Sequence, residues 1–271
     1  MPYAIFVFYS IIAFILGTCI GSFANVCIYR MPLGRSVIVP RSHCPDCGAL
    51  IAWFDNIPLL SLLFLGGRCR ACTGEISRRY FLVELLTGAL FLVVFLRYGF
   101  DVRTLVYWLV ATGLIIATFI DFDYMIIPDQ ITIGGIFAGL LISIVFPQLH
   151  GVNTHAESFR TAFVGMLIGG MSLWLVGELG RLAFRKEAMG MGDVKLLAAL
   201  GAFLGWQAVV FTIMIASLAG ALAGLAMVLC GRKGMGSKIP FGPYLALAAI
   251  VWMAGGSDWW SAYLGWLRSA S

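Results

Sequence analysis

The stretch that decides the fold runs from Thr104 to Pro147. It reads TLVYWLVATGLIIATFI (104–120), DFDYMIIPD (121–129) and, after Gln130, ITIGGIFAGLLISIVFP (131–147). Each flanking run is apolar and near the length that crosses a bilayer as a helix, about 20 residues. Between them stand Asp121, Asp123 and Asp129. A carboxylate at membrane depth is costly and marks function. A second acid sits in a comparable setting, at the end of Gly190-Met191-Gly192-Asp193 and the start of the apolar run from Val194.

Working outward, the whole chain has the same character. Of its 271 residues 61% are hydrophobic and 11% are charged, against about 25% charged in soluble domains. Apolar runs fall at about 4–28, 80–98, 104–120, 131–147, 161–183, 194–205, 207–230 and 241–256. The expected fold is an all-α polytopic membrane protein of about eight transmembrane helices. Gly201, Gly205 and Trp206 blur the boundary between the sixth and seventh. Met1–Ser10 has no Lys or Arg, so the first run reads as a retained helix rather than a signal peptide. Trp259, Trp260, Tyr263 and Trp266 give the tail an interfacial composition.

Lys and Arg set the orientation. With the N-terminus outside, fourteen of the eighteen fall in inner loops, among them Arg30, Arg68, Lys186, Lys195, Arg232, Lys233 and Lys238. That is the bias expected of cytoplasmic loops. The net charge of +5 therefore reads as topology and lipid contact, and nucleic acid is not an expected partner. Three regions are expected: a first transmembrane helix (1–28), a cytoplasmic insert (29–79) and a membrane bundle (80–271).

The insert carries Cys44-Pro45-Asp46-Cys47-Gly48 and Cys69-Arg70-Ala71-Cys72. Two such knuckles can wrap one tetrahedral zinc with four thiolates, in the manner of a zinc ribbon. The rival reading is a disulfide or redox pair. Reducing cytoplasm and the small core of a fifty-residue insert favour a structural zinc. A site closed by four cysteines has no open position for catalysis. His43 reads as a surface residue.

Asp121 is expected to close the third helix and Asp193 to open the sixth, both at the cytoplasmic face. Asp129 reads as an N-cap, Asp123 as a loop residue, and Lys195 as facing headgroups. Gly190 and Gly192 would let another chain approach the turn before Asp193. Two carboxyls within about 3 Å share a proton. One then activates water while the other protonates a scissile carbonyl. Whether Asp121 and Asp193 meet is not fixed by sequence. A proton-coupled carrier would also use buried acids, but the acids here cluster at one face, and paired broken helices are not evident. A non-enzymatic scaffold would leave the Gly-Met-Gly-Asp turn without a purpose.

The chain resembles the bacterial type IV prepilin peptidases, the leader peptidase and N-methyltransferase enzymes of type IV pilus and type II secretion systems. The motifs that carry the resemblance run nearly end to end: Gly21-Ser22-Phe23-Ala24-Asn25-Val26, Tyr29-Arg30-Met31-Pro32, the paired knuckles, Asp55-Asn56-Ile57-Pro58, Gly66-Gly67-Arg68-Cys69, Arg79-Tyr80 with Val83-Glu84, Gly190 to Leu196, and Pro240-Phe241-Gly242-Pro243-Tyr244. The Gly-Met-Gly-Asp turn is similar to that of presenilin-like intramembrane aspartyl proteases. Arg68 stands where many members have Lys. The resemblance implies Asp121 and Asp193 as the catalytic pair and cleavage of a short basic leader from prepilins or pseudopilins after a glycine. It also implies methylation of the new N-terminus from S-adenosylmethionine, and contact with pilus or secretion machinery in the bacterial inner membrane. No Gly-rich loop marks a methyl-donor site.

Overall fold

The computed structural model describes residues 3–44, 46–185, 189–230 and 240–270. Pro45 of the first knuckle and the inner-loop residues Lys186, Arg232, Lys233 and Lys238 lie outside the described residues, as do Met1, Pro2 and Ser271. The helices are α1 (Tyr3–Arg30), α2 (Leu60–Phe64), α3 (Arg78–Tyr98), α4 (Val102–Tyr124), α5 (Asp129–Val145), α6 (His155–Phe184), α7 (Met191–Leu229), α8 (Gly242–Val251) and α9 (Ser257–Ala270). Among the described residues no strand forms, only two isolated bridges in the insert. Among the described residues five helices are long and apolar enough to cross a membrane: α1, α3, α4, α6 and α7. The apolar α5 is shorter.

The two expected runs 194–205 and 207–230 are merged in α7, but Gly205 breaks the helix at φ 80°, ψ 172°. That left-handed φ is open to glycine and strained for other residues. Counting the two arms of α7 separately, and with α5 and the short α8, eight apolar helical segments result, as the sequence led us to expect. The compact units are Met1–Ile116 and Ala117–Ser271. In the first, α1 packs along α3. Trp108 of α4 stacks on Phe91 of α3, with ring centroids 4.7 Å apart, and donates its indole N–H to the Phe91 carbonyl at 2.9 Å.

In the second unit α7 is the centre, with α5, α6 and α8 packed on it. The first arm of α7 is buried almost without interruption from Asp193 to Gly205. Small residues allow this close packing, as in other membrane helices: a side chain at Gly165 of α6 or at Gly201 of α7 would strike the other's backbone carbonyl. At the break, His150 of the α5–α6 connection lies beside Gly205. His150 also pairs with Ser143, whose hydroxyl stands 3.3 Å from the Ala202 carbonyl. Backbone at membrane depth needs such partners.

Two helix ends differ from the sequence reading. α4 continues one turn past Asp121, to Tyr124, and stops where Met125 turns to φ 53°. Asp193 is the third residue of α7, whose N-cap is Gly190. In both places the backbone rather than the acid makes the boundary.

Candidate active site and metal centre

Asp121 comes from the last turn of α4 and Asp193 from the first turn of α7, 5% and 8% exposed. The charge of Asp121 is felt at Asp193. The residues that make this approach possible are small or apolar. Ile127, buried in the α4–α5 connection, packs against the glycines that flank the two acids. A Cβ at Gly192 would sit 3.2 Å from Ile127, and one at Gly242 would sit 3.1 Å from it.

Each carboxylate has a distinct environment. Oδ2 of Asp121 accepts the backbone N–H of Gly242 at 3.1 Å. Gly242 opens α8, and a Cβ there would stand 2.7 Å from the same oxygen. Asp193 reaches back to accept the N–H of Gly190, while its own N–H bonds the Gly190 carbonyl at 3.1 Å. This is the half of a capping box that the third residue supplies; the N-cap, Gly190, has no side chain to return the bond. The other oxygen of Asp193, Oδ1, is buried with no hydrogen-bond partner. Orphaned buried oxygens are rare and call for a functional account.

The neighbouring acids behave differently. Asp123 is exposed. Asp129 is not the N-cap of α5, which is Pro128 with extended dihedrals. Its carboxylate instead bonds the ammonium of Lys195 at 2.7 Å. Lys195 thus ties α7 to α5 rather than facing headgroups, and the bridge closes the seam that Ile127 begins. Gly242 is a functional residue that the Pro240–Tyr244 motif does not mark as one; its signal is a glycine directly before a proline that starts a helix. Replacing Gly242 with Ala should lower kcat for peptide hydrolysis by this pair about a hundredfold, the cost of roughly 1 Å of misplacement. Initial rates measured by product mass, beside a melting curve, check this; a Gly242→Ala protein at the parent rate would show that the contact is idle.

In the insert, the four cysteine sulfurs of Cys44, Cys47, Cys69 and Cys72 all lie within 4.8 Å of one another. The Cys44 and Cys72 sulfurs are 3.8 Å apart. That is far beyond a disulfide bond, about 2.05 Å. It matches the edge of a tetrahedron with zinc–sulfur bonds of about 2.3 Å, roughly 3.8 Å. The two knuckles repeat one another in their backbone. Cys44 N–H bonds Ala49 O at 2.9 Å and Cys69 N–H bonds Gly74 O at 2.8 Å. Gly48 and Thr73 occupy the same left-handed turn at φ 71° and 60°. Backbone N–H groups of Cys72 and Ala71 pull the Cys69 thiol down to about 7, so its thiolate is available to a metal. His43 is exposed and bonds the Arg41 carbonyl, away from the sulfurs.

Comparison with known proteins gives the family. The profile of the Bacterial Peptidase A24 N-terminal domain matches residues 15–98, and that of the Type IV leader peptidase family matches residues 108–225. A prepilin leader peptidase/N-methyltransferase of Aeromonas hydrophila is 40% identical over 271 residues, covering 90% of this chain and 91% of that one. The chain belongs to the type IV leader peptidase family. A Myxococcus xanthus relative of the same name is 42% identical; the match covers 83% of this chain and 65% of that longer protein. One from Pseudomonas aeruginosa is 37% identical, over 88% of each. No solved structure matches the chain. Within this leader peptidase family member, the N-terminal profile covers the α1–α3 pair with its four-cysteine cluster. The second profile covers both Asp121 and Asp193.

Proposed function

We propose that this inner-membrane, multi-pass protein removes the short basic leader of type IV prepilins or pseudopilins with Asp121 and Asp193 as an aspartyl dyad, and then methylates the new N-terminus. The observation that carries the reading is the pair itself: two buried, interacting carboxyls at helix ends, one with an unpartnered oxygen. Asp121 is held by Gly242, so its free edge can accept a proton from water. Asp193 Oδ1 faces no protein donor and can give a proton to the scissile carbonyl. Water then adds to that carbon, the carbonyl oxygen is protonated, and collapse expels the amine, which regains a proton from the dyad. The low dielectric strengthens each interaction. Gly190, extended at φ −73°, ψ 137°, keeps the approach to the Asp193 carboxyl free of a side chain, and an extended substrate segment can lie along it, while Gly192 makes room for Ile127.

Orientation follows from the Lys and Arg bias, with the N-terminus outside and the insert and the dyad at the cytoplasmic face. A prepilin has its basic leader on that same side. Cys44, Cys47, Cys69 and Cys72 would hold a zinc whose part is structural, because four sulfurs leave no open position. Bound S-adenosylmethionine supplies a methyl group to the new amine. Pilus or type II secretion machinery is the expected setting.

The test is to incubate the purified protein with a prepilin bearing a Gly–Phe junction and to read product mass. Leader loss is expected without the methyl donor, and leader loss plus one methyl group with it. An intact substrate in the presence of folded protein would sink the peptidase reading. Cleavage that never gains the methyl group would remove the second activity alone.

A further inference from the structure

The insert between α1 and α3 does not simply stand off the membrane helices. Glu84 lies on the second turn of α3, six residues past Arg78 and so roughly 9 Å along the helix axis. It is 7% exposed. Its Oε2 accepts the backbone N–H of Leu59 at 2.8 Å, with Leu59 held at φ 62°. At the same height α1 and α3 touch: a Cβ at Gly21 would lie 2.8 Å from the Glu84 backbone. The chain therefore leaves α1 at Arg30, forms the first knuckle, and by Leu59 has returned alongside the first turns of α3.

What hangs at this depth is apolar. The turn Trp53–Asn56 contacts α2. Trp53 is 76% exposed and Phe64 84%, with Phe54 and Leu60 also open. The rings of Trp53 and Phe54 meet edge to face at 5.7 Å. Arg70 lies over Phe54 at 5.5 Å and forks onto Asp55, which fixes this small module to the second knuckle. The segment 29–79 carries seven arginines against Asp46, Asp55 and Glu75.

We propose that residues 53–64 dock on the bilayer itself, with Trp53 and Phe64 at the boundary of headgroups and acyl chains and the exposed arginines of the insert, such as Arg68, available to anionic lipid phosphates. Three features select lipid over a protein partner. The module is tied through Glu84 to the first turns of α3, a helix long and apolar enough to cross a membrane. Both ends of the insert are tethered to membrane helices. Its exposed side chains are the aromatic and basic types that favour the headgroup region. The four-cysteine cluster, fixed to the module through Arg70, then rides close to the membrane surface.

The intact protein in nanodiscs of phosphatidylglycerol and phosphatidylcholine tests this. The chain has eight tryptophans, so the Trp53 signal is the difference between the parent and a Trp53→Phe variant of unchanged metal content. Lipids brominated near the top of the acyl chain should remove most of that difference emission, and aqueous iodide little of it. Quenching by iodide and not by bromolipid overturns the proposal. So does a Trp53 signal that is aqueous alone and shielded only when prepilin is added, which would assign the face to substrate. If Trp53→Phe does not assemble, Phe64→Trp gives the same reading as a gain: its added emission is expected to be quenched by bromolipid, and quenching by iodide alone overturns the proposal.

Discussion

Replacing Asp193 with Asn stops leader removal while the protein still assembles. The substitution keeps shape and volume, so the packing of the first arm of α7 is preserved. It removes the acid at a buried carboxyl oxygen that has no protein partner. General acid–base groups contribute about a hundred- to ten-thousandfold, and both steps of the proposed cycle pass through this carboxyl. Asp121→Asn should act alike, because an amide oxygen can still accept the Gly242 N–H and hold the fold. Rates are read from product mass, and assembly from the melting profile in detergent. Cleavage at the parent rate by the double Asn variant would end the dyad assignment.

The second large effect concerns the insert. Cys44→Ser together with Cys72→Ser removes one sulfur from each knuckle and should release the zinc. Structural zinc sites contribute about 10 kcal/mol or more to folding in small domains, more than a fifty-residue insert can replace from its own core. Residues 29–79 should then become open to protease while the membrane helices stay protected. Metal analysis and limited proteolysis together read the result. A parent protein that purifies folded and without zinc would remove the claim.

The sequence made some of this legible and hid the rest for physical reasons. Length and apolarity of the runs gave the membrane helices, because in lipid a helix is the only way to satisfy the backbone of a single run. The knuckles were legible because metal ligation fixes spacing. The helix ends at Asp121 and Asp193 were misplaced by a few residues. Capping there comes from Met125 and Gly190, whose dihedrals no hydropathy pattern records. The meeting of Asp121 with Asp193, the clasp of Gly242 on Asp121, the Asp129–Lys195 bridge and the Leu59–Glu84 bond join residues from 25 to 121 positions apart. Such pairs are decided by packing, and composition carries no trace of them.

The break at Gly205 has a consequence for the membrane. The first arm of α7, residues 191–204, is about 21 Å long, α5 about 25 Å and α8 about 15 Å. A hydrocarbon layer is about 30 Å thick. These short segments surround the carboxyls, and the break lies beside the α5–α6 connection at the other end. Lipid around them must thin, or the carboxyls must lie below the level of the neighbouring headgroups. Either way the mismatch shortens the distance between water and the hydrophobic segment of a substrate. A peptide bond at the end of a transmembrane helix could then reach the carboxyls without that helix being drawn out of the bilayer.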